Sequence, residues 1–257
     1  MPLIKTPEEI KKLKRGGAIL SQTLRKVMDN CKVGVSTEEL EKIVRQEFEK
    51  VGGKPSFLGY KISPRDPAYP CALCISINDE VVHGMSLPGR IIKEGDIVGL
   101  DIGLWYEGMA TDMASTVVVG EVGPEIHGLV EATKESLKRG LSVVKEGANV
   151  EDIGVAIEEF ISPKGYGIVR DLSGHGVGHA VHEAPSIPNY KERRAQKFAL
   201  QEGMILAIEP MITLGTWKIK IKDDGWTIVT EDGSPAAHFE VTVAVTKDGY
   251  ELITPWP

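Results

Sequence analysis

The chain has 257 residues, with 30 Lys+Arg against 37 Asp+Glu, a net charge of −7 and 42% hydrophobic residues. The acidity argues against a nucleic-acid-binding surface, and the apolar share suffices for a sizeable core in one large domain. No apolar run is long enough to span a bilayer, the opening MPLIKTPEEIKKLKRGG lacks the apolar centre of a secretion signal, and three cysteines cannot all pair; a cytoplasmic protein with no membrane partner is expected.

Thr6-Pro7-Glu8-Glu9 predicts a helix start, with Thr6 as N-cap, proline in the first turn and Glu9 closing a capping box. Ile10, Leu13, Ile19, Leu20, Leu24, Val27 and Met28 continue it at helical spacing towards Cys31. Ser36-Thr37-Glu38-Glu39 caps a second helix whose buried stripe is Leu40, Ile43, Val44 and Phe48. Residues 54–70 read as loop, broken by Pro55, Pro64, Pro67 and Pro70. Strand pieces are expected at 72–77 and 80–82 around an Asn78-Asp79 turn, and a hairpin at 97–106 and 109–120. A third helix spans about 124–146, and Gly147-Ala-Asn-Val-Glu-Asp-Ile then repeats the pattern of Gly34-Val-Ser-Thr-Glu-Glu-Leu, an offset of 113 residues. We read a weak internal duplication, with halves of about 1–121 and 122–257. Strands at 204–208, 213–221, 227–230 and 239–245 complete an α+β pattern with a mainly antiparallel sheet.

The hairpin carries the first chemistry. If Glu107-Gly108 forms its turn, Tyr106 faces Met109, Trp105 faces Ala110 and Gly103 faces Asp112. Asp101 and Gly103 share a face with Asp112 diagonally opposite, so two carboxylates converge beside a glycine. Two acids on an apolar ribbon repel unless a cation sits between them. Three of the six histidines lie in the glycine-rich stretch SGHGVGHAVHEAP, where His175 and His182 are the functional candidates and His179 has no assigned role. Glu209 ends an apolar run before a proline; alone, it reads equally as an acid that caps a strand end or one that pairs with an arginine. Glu240 sits opposite the apolar face of Phe239, Val241, Val243 and Val245. Asp101, Asp112, His175, Glu209 and Glu240 together are rich enough in oxygen to bind two divalent ions. Cys71-Ala-Leu-Cys74 is formally a CxxC, but with only Cys31 remaining it cannot build a four-cysteine zinc site.

The phrases SINDEVVHG, EGDIVGLDIG, TDMAST, GHGVGHAVHEAP, GMILAIEPMI and HFEVTVAV, with the opening IKTPEEIKKLKRGG, resemble type I methionine aminopeptidases along nearly the whole chain. The resemblance implies a pita-bread fold, two pseudo-symmetric αβ halves around a two-metal site, and removal of the initiator methionine before a small second residue. It implies Asp101 as ligand of one ion, Asp112 and Glu240 bridging both, and His175 and Glu209 completing the second. His83 would contact substrate near the scissile amide, His182 would hold the carbonyl oxygen, and Glu209 would move protons between water and the leaving amine. Phe57, Tyr60, Cys74, Val181 and Trp226 match the pocket for an unbranched thioether. Carboxylate and imidazole ligands suit Co, Mn, Fe or Zn. The resemblance further implies a monomer acting on nascent chains near the ribosome, and Met1-Pro2 raises the expectation of self-processing.

Four departures from the family pattern stand out: Gly103 where threonine is common, Val241 where histidine is common, Lys61 for a frequent histidine, and a longer Pro-rich stretch at 61–71. They are expected to affect the rim and the rate. Two other readings share the ligands or the fold: a Xaa-Pro aminopeptidase or prolidase, which normally carries an extra N-terminal domain for which no room is expected here, and a non-catalytic binding module, which would be expected to lose ligands.

Overall fold

The computed structural model describes residues 3–61, 63–65, 67–192 and 197–256. Met1-Pro2, and Ile62 and Asp66 of the Pro-rich stretch, lie outside the described residues.

In chain order the first elements are α1 (Pro7–Asn30), α2 (Thr37–Lys50), β1 (Lys54–Pro55), β2 (Leu73–Ile77), β3 (Glu80–Val82), β4 (Ile97–Tyr106) and β5 (Met109–Val118). There follow α3 (Pro124–Leu141), α4 (Val150–Ile161), β6 (Gly167–Ile168), β7 (Ser173–Gly176), β8 (Glu183–Pro188), β9 (Ile205–Ile208) and β10 (Met211–Thr213). The last are β11 (Ile219–Ile221), β12 (Ile228–Thr230), β13 (Ala236–His238), β14 (Glu240–Val245) and β15 (Tyr250–Leu252). Thr6 and Ser36 form complete capping boxes with Glu9 and Glu39, as their spacing predicts. Asn149 caps α4 the same way with Asp152. Helix α3 stops at Leu141, short of the predicted end, with Lys138 and Arg139 in its last turn, where cations suit the helix dipole. The strand expected at 213–221 is broken: Thr213 Oγ1 donates to the carbonyls of Gly215 and Thr216, turning the chain between β10 and β11.

A nine-stranded sheet runs β1-β4-β5-β14-β9-β7-β8, with β2 also on β4 and β15 also on β14. Its pairings are antiparallel. The central contact is between β5 and β14, where Glu240 lies opposite Ala114 and Val241 opposite Met113, so the two parts of the chain meet beside the acids. Strand alternation then sorts the residues. Leu100, Ile102, Leu104, Met113, Leu206, Ile208, Val241 and Val243 join the helices in the main core. On the other face Trp105, Ala110, Ile205, Ala207 and Ala244 join a second apolar cluster with Phe57, Tyr69, Cys74, Val181 and Trp226. Asp101, Asp112 and Glu240 open onto that second face.

Candidate active site

The β4–β5 hairpin has the predicted register, with Gly103 opposite Asp112, Trp105 opposite Ala110 and Tyr106 opposite Met109. Glu107 and Gly108 both take positive φ, +49° and +80°, the left-handed pair that a tight two-residue turn between twisted strands requires. Asp112 is fixed further by Thr242 of β14, whose Oγ1 accepts the Asp112 N–H at 3.2 Å and donates to its carbonyl at 2.7 Å.

His175 stands on β7, opposite Ala207 of β9, and its Nδ1 lies 2.9 Å from the Gly176 carbonyl. That contact puts the proton on Nδ1 and leaves Nε2 free as a donor pair for a cation. One donor atom each from Asp112, His175 and Glu240 lies within 4.8 Å of the others, and all three residues are buried. Glu209, at the end of β9, reaches His175 Nε2 at 3.4 Å. Among the described residues its ion-pair partners are His175 and His238 and not an arginine.

A cavity of about 340 Å³ opens on this cluster. All five ligand candidates line it: Asp101, Asp112, His175, Glu209 and Glu240. His83 and His182 also reach it, as do Phe57, Tyr60, Cys74 and Trp226. Val181 does not line the cavity; it packs behind it in the same apolar cluster. His83 follows β3 with φ +58°, an uncommon conformation for a residue with a side chain. Gly84 next to it is tied by the Tyr69 hydroxyl, which donates to its carbonyl at 2.9 Å. His182 is oriented by Tyr60, whose hydroxyl is 2.7 Å from its Nδ1.

The electrostatics are those of a cation site. Burial pushes the Glu209 carboxyl up, and burial with Glu209 nearby raises Asp101. Burial, then Asp101 and Glu209, holds Asp112 well above the carboxylate range, and burial with Asp112 does the same for Glu240. Burial lowers His83 to about 4 and His175 to about 3, so both imidazoles are neutral near pH 7. Asp101 Oδ1 and Glu240 Oε1 are buried without a hydrogen-bond partner. Four mutually repelling acids, a neutral imidazole and two orphaned carboxylate oxygens fit divalent metal.

Sequence reasoning missed two residues here. Tyr69 lines the cavity and meets Trp226 edge-on, with ring centroids 5.3 Å apart. It lies in the Pro-rich loop, where no periodicity marks a buried side. His238 is buried, with Nε2 3.5 Å from Glu209 Oε2; its signal was its place two residues before Glu240. Of the departures, Val241 faces the helix-side core and Lys61 is exposed outside the cavity. The three cysteines are free and buried; burial pushes the Cys31 thiol up to about 12 and Cys74 well above its ordinary value.

Residues 11–247 match the model of metallopeptidase family M24. A methionine aminopeptidase of Aquifex aeolicus is 47% identical over 247 residues, covering 96% of each chain. The crystal structure of a methionine aminopeptidase from Thermotoga maritima superposes with a TM-score of 0.93 at 41% identity, covering 99% of each chain. A Xaa-Pro dipeptidase from Bacillus anthracis superposes at 0.76 with 25% identity, covering 99% of this chain and 62% of that one.

Proposed function

This chain belongs to metallopeptidase family M24, and from that premise we propose the work of its cavity: release of the N-terminal methionine from polypeptides whose second residue is small. It is a metal-dependent exopeptidase with the pita-bread fold. The observation that carries the reading is the convergence of five ligand candidates, two histidines and an apolar pocket on one cavity.

A bound divalent metal supplies Lewis acidity and a water that ionises near neutral pH. Asp101, Asp112, His175, Glu209 and Glu240 would hold it, as two ions of Co, Mn, Fe or Zn. The protein's own groups do the rest. The Tyr60 hydroxyl lies 2.7 Å from His182 Nδ1. We assign it as the donor, which keeps the imidazole proton on Nε2, where it donates to the substrate carbonyl oxygen and to the oxyanion that replaces it. His83, neutral through burial, meets the scissile amide. Glu209 takes the proton of the attacking water and delivers it to the leaving amine. Phe57, Tyr60, Cys74 and Trp226, backed by Val181 and joined by Tyr69, enclose the unbranched thioether.

We read the chain as one catalytic domain, residues 1–257, with halves of about 1–121 and 122–257; two helices followed by strands in each support this. We further place it as a cytoplasmic monomer that meets nascent chains at the ribosome. Three free, buried thiols suit a reducing compartment, and no helix among the described residues is long and apolar enough to cross a membrane.

The test is peptide profiling with added divalent metals. Met-Ala and Met-Gly peptides should lose methionine, and a chelator should stop this reversibly. Cleavage of Gly-Pro but not Met-Ala peptides moves the chain to the prolidase branch; no cleavage of either with any metal leaves a binding module.

A further inference from the structure

Lys5 is 3% exposed, a rare state for lysine unless it is paired. Its ammonium meets the Glu183 carboxylate at 2.5 Å, with side chains 1% and 6% exposed. Glu183 directly follows His182, and its other oxygen accepts the Ala180 N–H at 2.7 Å. A second tie lies four residues along: His179 Nε2 is 2.7 Å from Glu9 Oε1. The other oxygen of Glu9 closes the α1 capping box on the Thr6 N–H at 2.8 Å. With His179 as first cause, these contacts hold the Glu9 carboxyl down to about 2, so it is ionised at any working pH.

The arm that supplies Lys5 and Glu9 is itself anchored. The Lys5 N–H donates to the Gly203 carbonyl at 2.9 Å, and Ile4 bridges to Met204 just before β9. The loop it grips, residues 177–182, lies beyond the β7 ladder, which ends at Gly176. Its start is tied to the sheet by the Val177 N–H to the Ile205 carbonyl at 3.2 Å and by the Ala110 N–H to the Gly178 carbonyl at 2.7 Å, and the clamp acts on the part beyond. Gly178 shows how close the approach is. Its φ is +138°, and a Cβ there would lie 2.6 Å from Lys5 Cε. His182 and Glu183 are consecutive at the entry to β8, so the first turns to the cavity while the second is held by Lys5 behind it.

We propose that Lys5 and Glu9 are positioning residues: the N-terminal arm clamps loop 177–182 through Glu183 and His179, and so fixes where His182 meets the substrate carbonyl. This rests on the role given to His182 above. It gives His179 a task, and it gives a reason for a buried ion pair, which is by itself weak evidence for stability and better explained by the geometry it specifies.

The experiment compares Lys5→Met/Glu183→Gln, which removes both charges together, with Lys5→Arg, Glu9→Gln and His182→Ala. A glutamine at position 9 retains the capping box, so that variant loosens the loop without uncapping the helix. Steady-state kinetics on a Met-Ala peptide, calorimetric metal affinity and far-UV dichroism are read for each. The charge-free pair should lower kcat about tenfold or more, because small misplacements of a reacting group cost that much, with KM and metal affinity within twofold. Lys5→Arg should recover most of the loss, and Glu9→Gln should lower kcat about threefold by the same effect. In a His182→Ala background the charge-free pair should cause no further loss. Equal losses with and without His182, or unchanged kcat in folded charge-free protein, overturn the clamp. Unchanged kcat in His182→Ala overturns the role of His182 instead. Should the charge-free pair fail to fold, Glu9→Gln in the two backgrounds decides by the same criterion.

Discussion

The β4–β5 hairpin and the loop between β7 and β8 reach the same cavity by opposite means. The hairpin is a continuous ladder from Ile97↔Val118 to Tyr106↔Met109, and its two aspartates point where the backbone register sends them. The loop leaves its ladder after Gly176; two backbone bonds, at Val177 and Gly178, tie its start to β9 and β5, and beyond them it is held by side-chain ties at Glu183 and His179. The same division runs through the whole site. Asp101, Asp112, His175 and Glu240 stand on strands and Glu209 directly follows β9, whereas His83 and His182 stand on connecting segments. Cation ligands tolerate little misplacement and need rigid elements. Groups that meet a changing substrate can sit on loops, provided something else holds the loop.

The sharpest way to break this comparison is to remove a ligand from the ladder. Asp112→Ala, like chelation of the wild type, should lower activity on a Met-Ala peptide by about a thousandfold or more, since the nucleophile is lost with the metal. The hairpin should persist, because its register rests on backbone pairing and on Thr242, not on the carboxylate. Calorimetric metal titration and far-UV dichroism check both halves of the statement. Activity within tenfold of wild type in Asp112→Ala would sink the metal assignment.

The next effect separates stability from chemistry on the ladder side. Glu41 on α2 is 1% exposed. Its carboxylate accepts the N–H groups of Ala72 and Leu73 and the Ser86 hydroxyl, each at 2.8 Å, and pairs with Arg45 at 2.6 Å. It thereby pins the start of β2 against the hairpin. Glu41→Leu should cost about 3 kcal/mol, the scale for buried donors left unpaired beside a lost ion pair, read as a lower urea midpoint. The folded fraction should keep kcat within twofold. A kcat that falls in step with stability would mean that the ladder side is not the rigid frame described here.

Glu41 also marks the limit of what the sequence could tell. The capping boxes at Thr6 and Ser36 and the Glu107-Gly108 hairpin were legible because local spacing alone dictates them. The α2 stripe of Leu40, Val44 and Phe48 was equally legible. Glu41 was not, because its partners other than Arg45 lie 31 to 45 residues away and helical periodicity assigns an acid to solvent. The ligand candidates were legible as acids out of place in apolar strands, and the resemblance ordered them. Tyr69 and the Lys5–Glu183 pair were not: one sits in an aperiodic loop, and the other joins residues 178 apart.

Gly103 tests how tightly the ladder packs against the rim. A Cβ at this position would lie 1.9 Å from Ser56 Oγ and 2.9 Å from Phe57 Cε1. The Ser56 N–H donates to the Gly103 carbonyl at 2.9 Å, so this turn has no slack. The glycine is therefore the counterpart of a closely seated Phe57, which lines the cavity. Gly103→Thr should lower stability by about 2 kcal/mol, in the range for overpacking, and raise KM as Phe57 retreats. Adding Ser56→Gly, which removes the nearest atom, should recover part of both. If Gly103→Thr leaves KM and the urea midpoint unchanged, Phe57 is not held against the strand.

The smallest expected effect lies on the loop side and isolates one bond. Tyr60→Phe removes the hydroxyl 2.7 Å from His182 Nδ1 while leaving the ring, which meets the imidazole edge-on at 5.1 Å between centroids. A single hydrogen bond is worth about 1 kcal/mol, or about a fivefold change in rate at 1.36 kcal/mol per decade. The loss should fall on kcat, because the bond sets which nitrogen of His182 carries the proton that meets the oxyanion. The thioether wall is retained, so KM for a Met-Ala peptide should stay within twofold. A rise in KM with kcat intact would assign Tyr60 to the wall alone. The loop would then be positioned by its ties to the N-terminal arm, with no contribution from within the cavity.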